Sequence, residues 1–353
     1  MPRPQADLTA LRPERVCLIK PSALGDVMNA TPVLAALTDL WPEARFAWVI
    51  NRGLAGLVDG LPGLDEVIPF DRAGLKATPR GIWGAGRFLR GLRRRRFDLA
   101  IDLQGLLRSG IMAWATGAPV RVGRSDAREG SSRFYTHRVP MPDGPTHAVD
   151  RLMLVARAFG ADDREPRFLA AMTDADRLWA RSALAGVGRP RIVINVGARW
   201  ETKRWPARQF AEVARRAVAR FGAGLVAVGA PEDRPFVDEL RAALGSIPLA
   251  DFCGQTSLPR LAALAAESDL FLSNDTGPLH LAVAAGARTV GIYTCTDPRE
   301  NGPYGPRAVA VRSHVHCAAS YIVRCARLDC MAELTPDRVW AAVEGQLREA
   351  DAA

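Results

Sequence analysis

The stretch Ser273-Asn274-Asp275-Thr276-Gly277-Pro278-Leu279-His280 has the composition of a strand-to-helix turn, and its reading decides how the rest of the chain is read. Before it, Asp269-Leu270-Phe271-Leu272 is short and apolar, as a buried strand is. After it, Leu281 to Ala285 is alanine-rich and helix-prone, stopping at Gly286. Asp275 and Thr276 both suit an N-cap, and Gly277 allows close approach to the backbone. A helix N-terminus offers unpaired N–H groups and the positive end of the helix dipole, so an anion such as a diphosphate fits there. A plainer reading also stands, in which Asp275 caps the helix and His280 faces the core.

Working outward, the same strand–turn–helix pattern recurs on both sides. In the first half, strands are expected at Val16–Lys20, Arg45–Ile50, Asp65–Phe70, Phe97–Leu103 and Val120–Gly123. A helix carrying Val27, Ala30, Val33, Leu34 and Leu37 follows the first strand, others fall around Leu54–Asp59 and Gly81–Arg96, and His147–Gly160 is a further one. Between Arg124 and Thr146 lies a long polar segment, read as a functional loop. The pattern restarts with strands at Arg191–Gly197 and Gly224–Gly229, a short one before Cys253, then Asp269–Leu272 and Arg288–Tyr293. Helices are expected from Pro206 to Phe221, up to Leu244, from Leu258 to Glu267 and from Pro336 to Leu347. Strands alternating with helices mean a parallel sheet covered on both faces.

The expected fold is therefore α/β, with two Rossmann-like doubly wound domains facing a central cleft. The first spans residues 1–175 and the second 176–335, and 336–353 is a C-terminal helix able to pack back on the first domain. With 353 residues the chain exceeds what one core organises, and 48% hydrophobic composition is enough to bury two. The N-terminal Met1 to Asp7 has no apolar signal region, so a cytoplasmic location is expected. Neither GxGxxG nor GxxxxGK[ST] occurs, which removes the main support for a dehydrogenase-type dinucleotide site or a P-loop NTPase.

The net charge of +9 implies acidic partners. Its densest source is Arg93-Arg94-Arg95-Arg96, with Arg87 and Arg90 one and two turns earlier on the same expected helix. Such a run is either a solvated face or an amphipathic patch held against anionic lipid headgroups. No zinc-finger spacing or RNA-binding signature accompanies it, so no nucleic-acid partner is expected. Cys317, Cys325 and Cys330 cluster near His314 and His316, yet no CxxC pair occurs, and no metal is expected.

Three positions can carry chemistry. Asp26, ending the turn after the first strand, is either a general base toward an acceptor hydroxyl or a helix N-cap. Lys203, just before the helix that starts at Pro206, either stabilises a departing diphosphate or belongs to a solvated basic loop. Glu232 and Asp233, following a strand, are placed to accept hydrogen bonds from ribose hydroxyls or to cap a helix.

Taken in order, several motifs resemble glycosyltransferase family 9, the heptosyltransferases. They are Lys20-Pro21-Ser22-Ala23-Leu24-Gly25-Asp26 with Ala30-Thr31-Pro32, then Ile101-Asp102-Leu103-Gln104-Gly105 and Lys203-Arg204-Trp205-Pro206. The opening octapeptide follows, and then Thr296-Asp297-Pro298 with Gly302-Pro303-Tyr304-Gly305. Asp126-Ala127-Arg128-Glu129, Phe134-Tyr135 and His147-Ala148-Val149-Asp150-Arg151 are most similar to the heptosyltransferase I branch, which adds the first heptose to the Kdo of the lipopolysaccharide inner core.

The resemblance implies a GT-B fold, an ADP-heptose donor and an inverting, metal-independent transfer with no cofactor. It also implies a monomer, peripheral at the inner face of the cytoplasmic membrane, acting on an acidic glycolipid acceptor. By the same resemblance Asp26 is the base and Lys203 the diphosphate-stabilising cation. Thr202, Asp275, Thr276, Gly277 and His280 contact the donor, Glu232 or Asp233 its ribose, and Ser22, Gly25, Arg128 and His147 the acceptor. Three alternatives stay open: a family 9 transferase with another nucleotide sugar or acceptor, a non-catalytic nucleotide- or glycan-binding protein, and an epimerase acting on a UDP-sugar.

Overall fold

Short runs of branched and aromatic residues become strands in each half of the chain. The computed structural model describes residues 7–71, 79–162 and 165–351, so the stretch Met1 to Ala6 read above lies outside the described residues. The chain divides into two units, Met1–Ala171 and Met172–Ala353.

In the first unit the order is β1 (Arg15–Ile19), α1 (Leu24–Met28), α2 (Thr31–Leu40), β2 (Arg45–Asn51), β3 (Glu66–Phe70) and α3 (Pro79–Arg94). Then come β4 (Leu99–Asp102), α4 (Leu107–Thr116), β5 (Val120–Arg124), β6 (His137–Val139) and α5 (Ala148–Arg157). The sheet is parallel throughout, in the order β3-β2-β1-β4-β5-β6. Val16, Cys17, Leu18 and Ile19 of β1 are all fully buried. That is why this strand reads as an unbroken apolar run instead of an alternating one.

The second unit begins with α6 (Asp174–Ala183), β7 (Arg191–Asn195), α7 (Ala207–Phe221), β8 (Gly224–Val228), α8 (Arg234–Leu244) and β9 (Leu249–Asp251). It continues with α9 (Leu258–Ala266), β10 (Leu270–Asn274), α10 (Gly277–Ala284), β11 (Thr289–Tyr293) and α11 (Pro298–Asn301). It ends with β12 (Ala308–Arg312), α12 (Asp329–Glu333) and α13 (Pro336–Asp351). Its sheet is again all parallel, β12-β11-β10-β7-β8-β9. Ile192, Ile194, Leu272 and Ile292 from the strands meet Trp205 and Phe210, whose rings stand edge to face with centroids 5.0 Å apart. Each such fully buried large side chain contributes about 1.5–3 kcal/mol of hydrophobic stabilisation.

Three features differ from the reading above. The polar segment 124–146 is not a plain loop: it contains a 3-10 turn, Ser131–Phe134, and the edge strand β6. A second edge strand, β12, was not anticipated at all. The helix expected from Val27 is two helices, because Pro32 has no N–H and its ring excludes the carbonyl four residues back. Helix α13 packs Val339, Val343 and Leu347 into the core of the second unit. Among the described residues, no helix is long and apolar enough to cross a membrane.

Candidate active site

In the second unit the chain lays down β7, β8 and β9 in one direction and β10, β11 and β12 in the other. Strand order therefore reverses between β7 and β10, and loops leaving the C-terminal ends of two such strands diverge and open a crevice. Ser273–His280 leaves β10 at that point, with Ser273 in register with Asn195 of β7.

The local hydrogen bonds set the shape of the turn. Thr276 is the N-cap of α10, but its side chain makes no capping hydrogen bond. Its hydroxyl donates to the Asn274 carbonyl at 3.3 Å and accepts from the Asn195 amide at 3.0 Å, and that amide also donates to the Ser273 hydroxyl at 3.0 Å. Asp275 does not cap the helix either. Its carboxylate meets the Lys203 ammonium at 2.6 Å and accepts from the Thr296 hydroxyl at 2.5 Å, with the Asp275 side chain only 5% exposed. The start of α10 is thus left without a side-chain cap beside a lysine, an arrangement that attracts an anion.

Lys203 is held in place from several sides. It ends a 3-10 turn, Glu201–Lys203, and its ammonium stands 4.7 Å from the centre of the Trp200 ring. The Thr202 hydroxyl donates to the Ile322 carbonyl at 2.6 Å, and the Thr294 hydroxyl donates to the Thr202 carbonyl. Thr202 is buried and fastens the turn, with its hydroxyl committed to Ile322. Next in sequence, the Trp205 N–H donates to the Asn274 side-chain carbonyl at 3.1 Å and the Trp205 indole to the Leu334 carbonyl at 2.8 Å. Burial pushes the Tyr293 phenol well above its usual pKa, and the Asp275 charge adds to the shift. His280 is buried in the first turn of α10.

The end of β8 supplies the acidic pair. Glu232 is exposed, whereas the Asp233 carboxylate accepts the Ala230 N–H at 2.9 Å. Burial raises the pKa of Asp233; the Ala230 hydrogen bond opposes that shift, the Glu232 charge adds to it, and Arg204 opposes it. A Cβ on Gly197 would stand 2.2 Å from the Asp233 carboxylate, so only glycine lets the end of β7 pass this close. Gly197→Ala is expected to destabilise the second unit by about 1–3 kcal/mol through overpacking. Urea unfolding checks this.

The first unit repeats the design. Its strand order reverses between β1 and β4, where Ile19 pairs with Asp102. Ser22, Gly25 and Asp26 follow β1, and α1 starts at Leu24, so Asp26 lies in the first turn and is not the N-cap. Its carboxylate accepts the Ala23 N–H at 2.9 Å, the reach-back half of a capping box. Lys20 is 5% exposed, and burial lowers the pKa of its ammonium against the pull of Asp26. Across the switch point, fully buried Asp102 accepts from the Gln104 and Gly105 N–H groups at 2.9 and 3.0 Å and from the Tyr135 hydroxyl at 2.6 Å.

Arg128 ties its backbone N–H to the Gly105 carbonyl at 2.8 Å and exposes its side chain at the same edge. His147 is the N-cap of α5, its Nδ1 accepting from the Val149 N–H at 3.2 Å. Arg151, one turn further, pairs with Asp126 at 2.6 Å and Asp126 with Arg124 at 3.0 Å, which draws the start of α5 toward the end of β5.

The predicted site residues thus fall into two groups, one in each unit, following the C-terminal ends of its strands. Ser22, Gly25, Asp26, Arg128 and His147 lie in the first unit; Thr202, Lys203, Glu232, Asp233, Asp275, Thr276, Gly277 and His280 lie in the second. Sequence reasoning assigned no role to Asn195, Thr296, Asp102 or Lys20. Asp102 had a usable signal, since an Asp two and three residues before backbone N–H groups of a Gln-Gly turn is a side-chain-to-backbone motif. All six cysteines are free thiols, and among the described residues no group of three or more His, Cys, Asp or Glu side chains is placed to hold a metal ion.

Two parallel six-stranded doubly wound units, each with polar side chains at the C-terminal ends of its strands, are the architecture of the GT-B fold. The sequence profile of glycosyltransferase family 9 (heptosyltransferase) matches residues 85–329. Lipopolysaccharide heptosyltransferase 1 of Pseudomonas aeruginosa is 34% identical over 86% of this chain and 85% of its own. A family 9 glycosyltransferase structure from Veillonella parvula has a TM-score of 0.82 at 24% identity, covering 98% of this chain and 99% of that one. The Escherichia coli heptosyltransferase WaaC with ADP-2-deoxy-2-fluoro heptose has a TM-score of 0.74 at 24% identity, covering 94% and 99%. The chain belongs to glycosyltransferase family 9, the heptosyltransferases, and is an enzyme of that class.

Proposed function

We propose that this enzyme moves a heptose from ADP-heptose onto a sugar of the lipopolysaccharide inner core, at the inner face of the cytoplasmic membrane, with inversion and without a metal. The observation that carries the reading is the Lys203–Asp275 pair beside the uncapped start of α10. A cation and a helix N-terminus together suit a diphosphate whose charge grows as it leaves. The relatives support the sugar: one is a lipopolysaccharide heptosyltransferase, and another carries an ADP-heptose analogue.

In this reading Asp26 removes the proton of the acceptor hydroxyl as that oxygen attacks the anomeric carbon on the face opposite the ADP. The bond from the anomeric carbon to the phosphate oxygen breaks, and the configuration inverts. ADP departs with the bonding electrons, its charge stabilised by Lys203 and the N–H groups around Thr276 and Gly277. His280 contacts the donor. Exposed Glu232 takes the ribose hydroxyls, because Asp233 is committed to the Ala230 N–H. Thr202 acts on the donor through Lys203, by fixing the turn that carries it. Arg128, His147, Ser22 and Gly25 line the acceptor side, where an exposed guanidinium suits an acidic sugar.

A panel of nucleotide sugars tests the donor assignment. At about 100 times its Kd, ADP-heptose is expected to stabilise the protein by about 2.7 kcal/mol, seen as a rise in Tm that UDP-, GDP- and dTDP-sugars do not reproduce. Stronger stabilisation by one of those would overturn the assignment.

A further inference from the structure

Helix α3 contains no acidic residue, and its polar side chains are arginines. Trp83, Arg87, Arg90 and Arg94 recur at helical spacing along one exposed stripe, with the Arg87 guanidinium 5.8 Å from the centre of the Trp83 ring. Ile82 and Trp83 are 68% and 65% exposed; on the neighbouring α4, Trp114 is 58% exposed and Leu107 is exposed too. Of the eight large apolar side chains exposed among the described residues, these two helices hold four. Between them runs an apolar groove of about 330 Å³, walled by Phe88, Leu89, Leu107, Ile111 and Met112. Of its lining residues only Glu129 is acidic, and its carboxylate accepts the Leu107 N–H at 3.1 Å.

We propose that the α3–α4 face of the first unit docks on an anionic phospholipid bilayer. Trp83, Ile82 and Trp114 sit among the headgroups, Arg87, Arg90 and Arg94 bind lipid phosphates, and the groove between the helices admits an acyl segment. Indole rings favour the boundary between apolar and aqueous phases, and arginine stems lie along apolar surface while their heads stay with phosphate. Charge decides between occupants: two copies of a face on which arginines outnumber the single carboxylate of Glu129 repel one another, whereas an anionic membrane neutralises them. The proposal deepens the membrane-facing reading above and rests on it, but its test does not pass through transfer chemistry.

The test is flotation of the full-length protein with vesicles of phosphatidylcholine, alone or mixed with phosphatidylglycerol. The wild type is expected to float with the mixed vesicles only, and less so as salt rises. Arg87→Glu with Arg90→Glu, and separately Trp83→Ser with Trp114→Ser, should each reduce partitioning by roughly tenfold or more. Unchanged Tm and an unchanged response to ADP-heptose show that the variants are folded. Equal binding to both vesicles, no binding to either, or variants that bind like the wild type would overturn the proposal. So would binding that requires lipopolysaccharide in the vesicle, which puts the acceptor's own acyl chains in the groove. A wild-type dimer in sedimentation that the variants dissolve would put a second copy there and also overturn it. A protein that floats yet transfers no heptose retires the functional reading alone. One that glycosylates a deacylated core sugar but ignores vesicles retires this proposal alone.

Discussion

Replacing Asp26 by alanine is expected to lower kcat for heptose transfer by about 10²–10⁴-fold while ADP binding survives. The two effects are separable, since Asp26 belongs to the first unit while the lysine, helix end and acidic pair proposed to bind ADP belong to the second. One complication is structural. The Asp26 carboxylate accepts the Ala23 N–H, so the alanine variant also loses a helix-terminal hydrogen bond, a cost of about 1 kcal/mol. Asp26→Asn removes the base but keeps an oxygen for Ala23. If the loss of rate comes from chemistry, the two variants are equally slow and only the alanine variant has a lower Tm. Near-normal turnover in Asp26→Asn would end the assignment of Asp26 as base.

The second large effect is expected at Lys203. Asp275 is almost fully buried, and its charge is balanced by that one ammonium with help from the Thr296 hydroxyl. Lys203→Ala leaves a buried carboxylate unpaired, which should cost about 3 kcal/mol of stability, and removes charge from the departing diphosphate, worth about 10²–10³ in kcat. The double variant Lys203→Ala with Asp275→Asn distinguishes the two roles. Neutralising the stranded carboxylate is expected to restore most of the Tm while transfer stays lost. Recovery of both together would reduce Lys203 to a structural counter-ion.

Buried strands were the legible part of this fold. β1, β4, β7, β8, β10 and β11 are covered on both faces, so each is written as a continuous apolar run that periodicity can find. Of the four edge strands, β3 and β9 were expected, whereas β6 and β12 were not. β6 is three residues long with Arg138 exposed at its centre, too little to stand out from a loop, whereas β12 has an apolar run, Ala308 to Val311, that is only half-buried and was not read as a strand. Within the site, residues that touch the chain's own turns were visible as motifs: Asp26 near a glycine, Lys203 before a proline, Thr276-Gly277 at a helix start. The roles of Asn195 and Thr296 were not, because they consist of contacts to residues 81 and 21 positions away in sequence. Asp275 shows the same limit from the other side. Its type and position suited a cap, and only the arrival of Lys203 from another strand end claimed its carboxylate.

The turn that carries Lys203 is tied to Ile322, Thr294, Asn274 and Leu334 at once. A free lysine side chain samples many rotamers, and a substrate that must immobilise it loses affinity in doing so. Here the ammonium is already fixed against Trp200 and Asp275 before any nucleotide arrives. In the role proposed for Lys203, the entropy of placing the cation is lost during folding, so the binding energy of the donor would remain available to strengthen contacts as the glycosidic phosphate bond stretches.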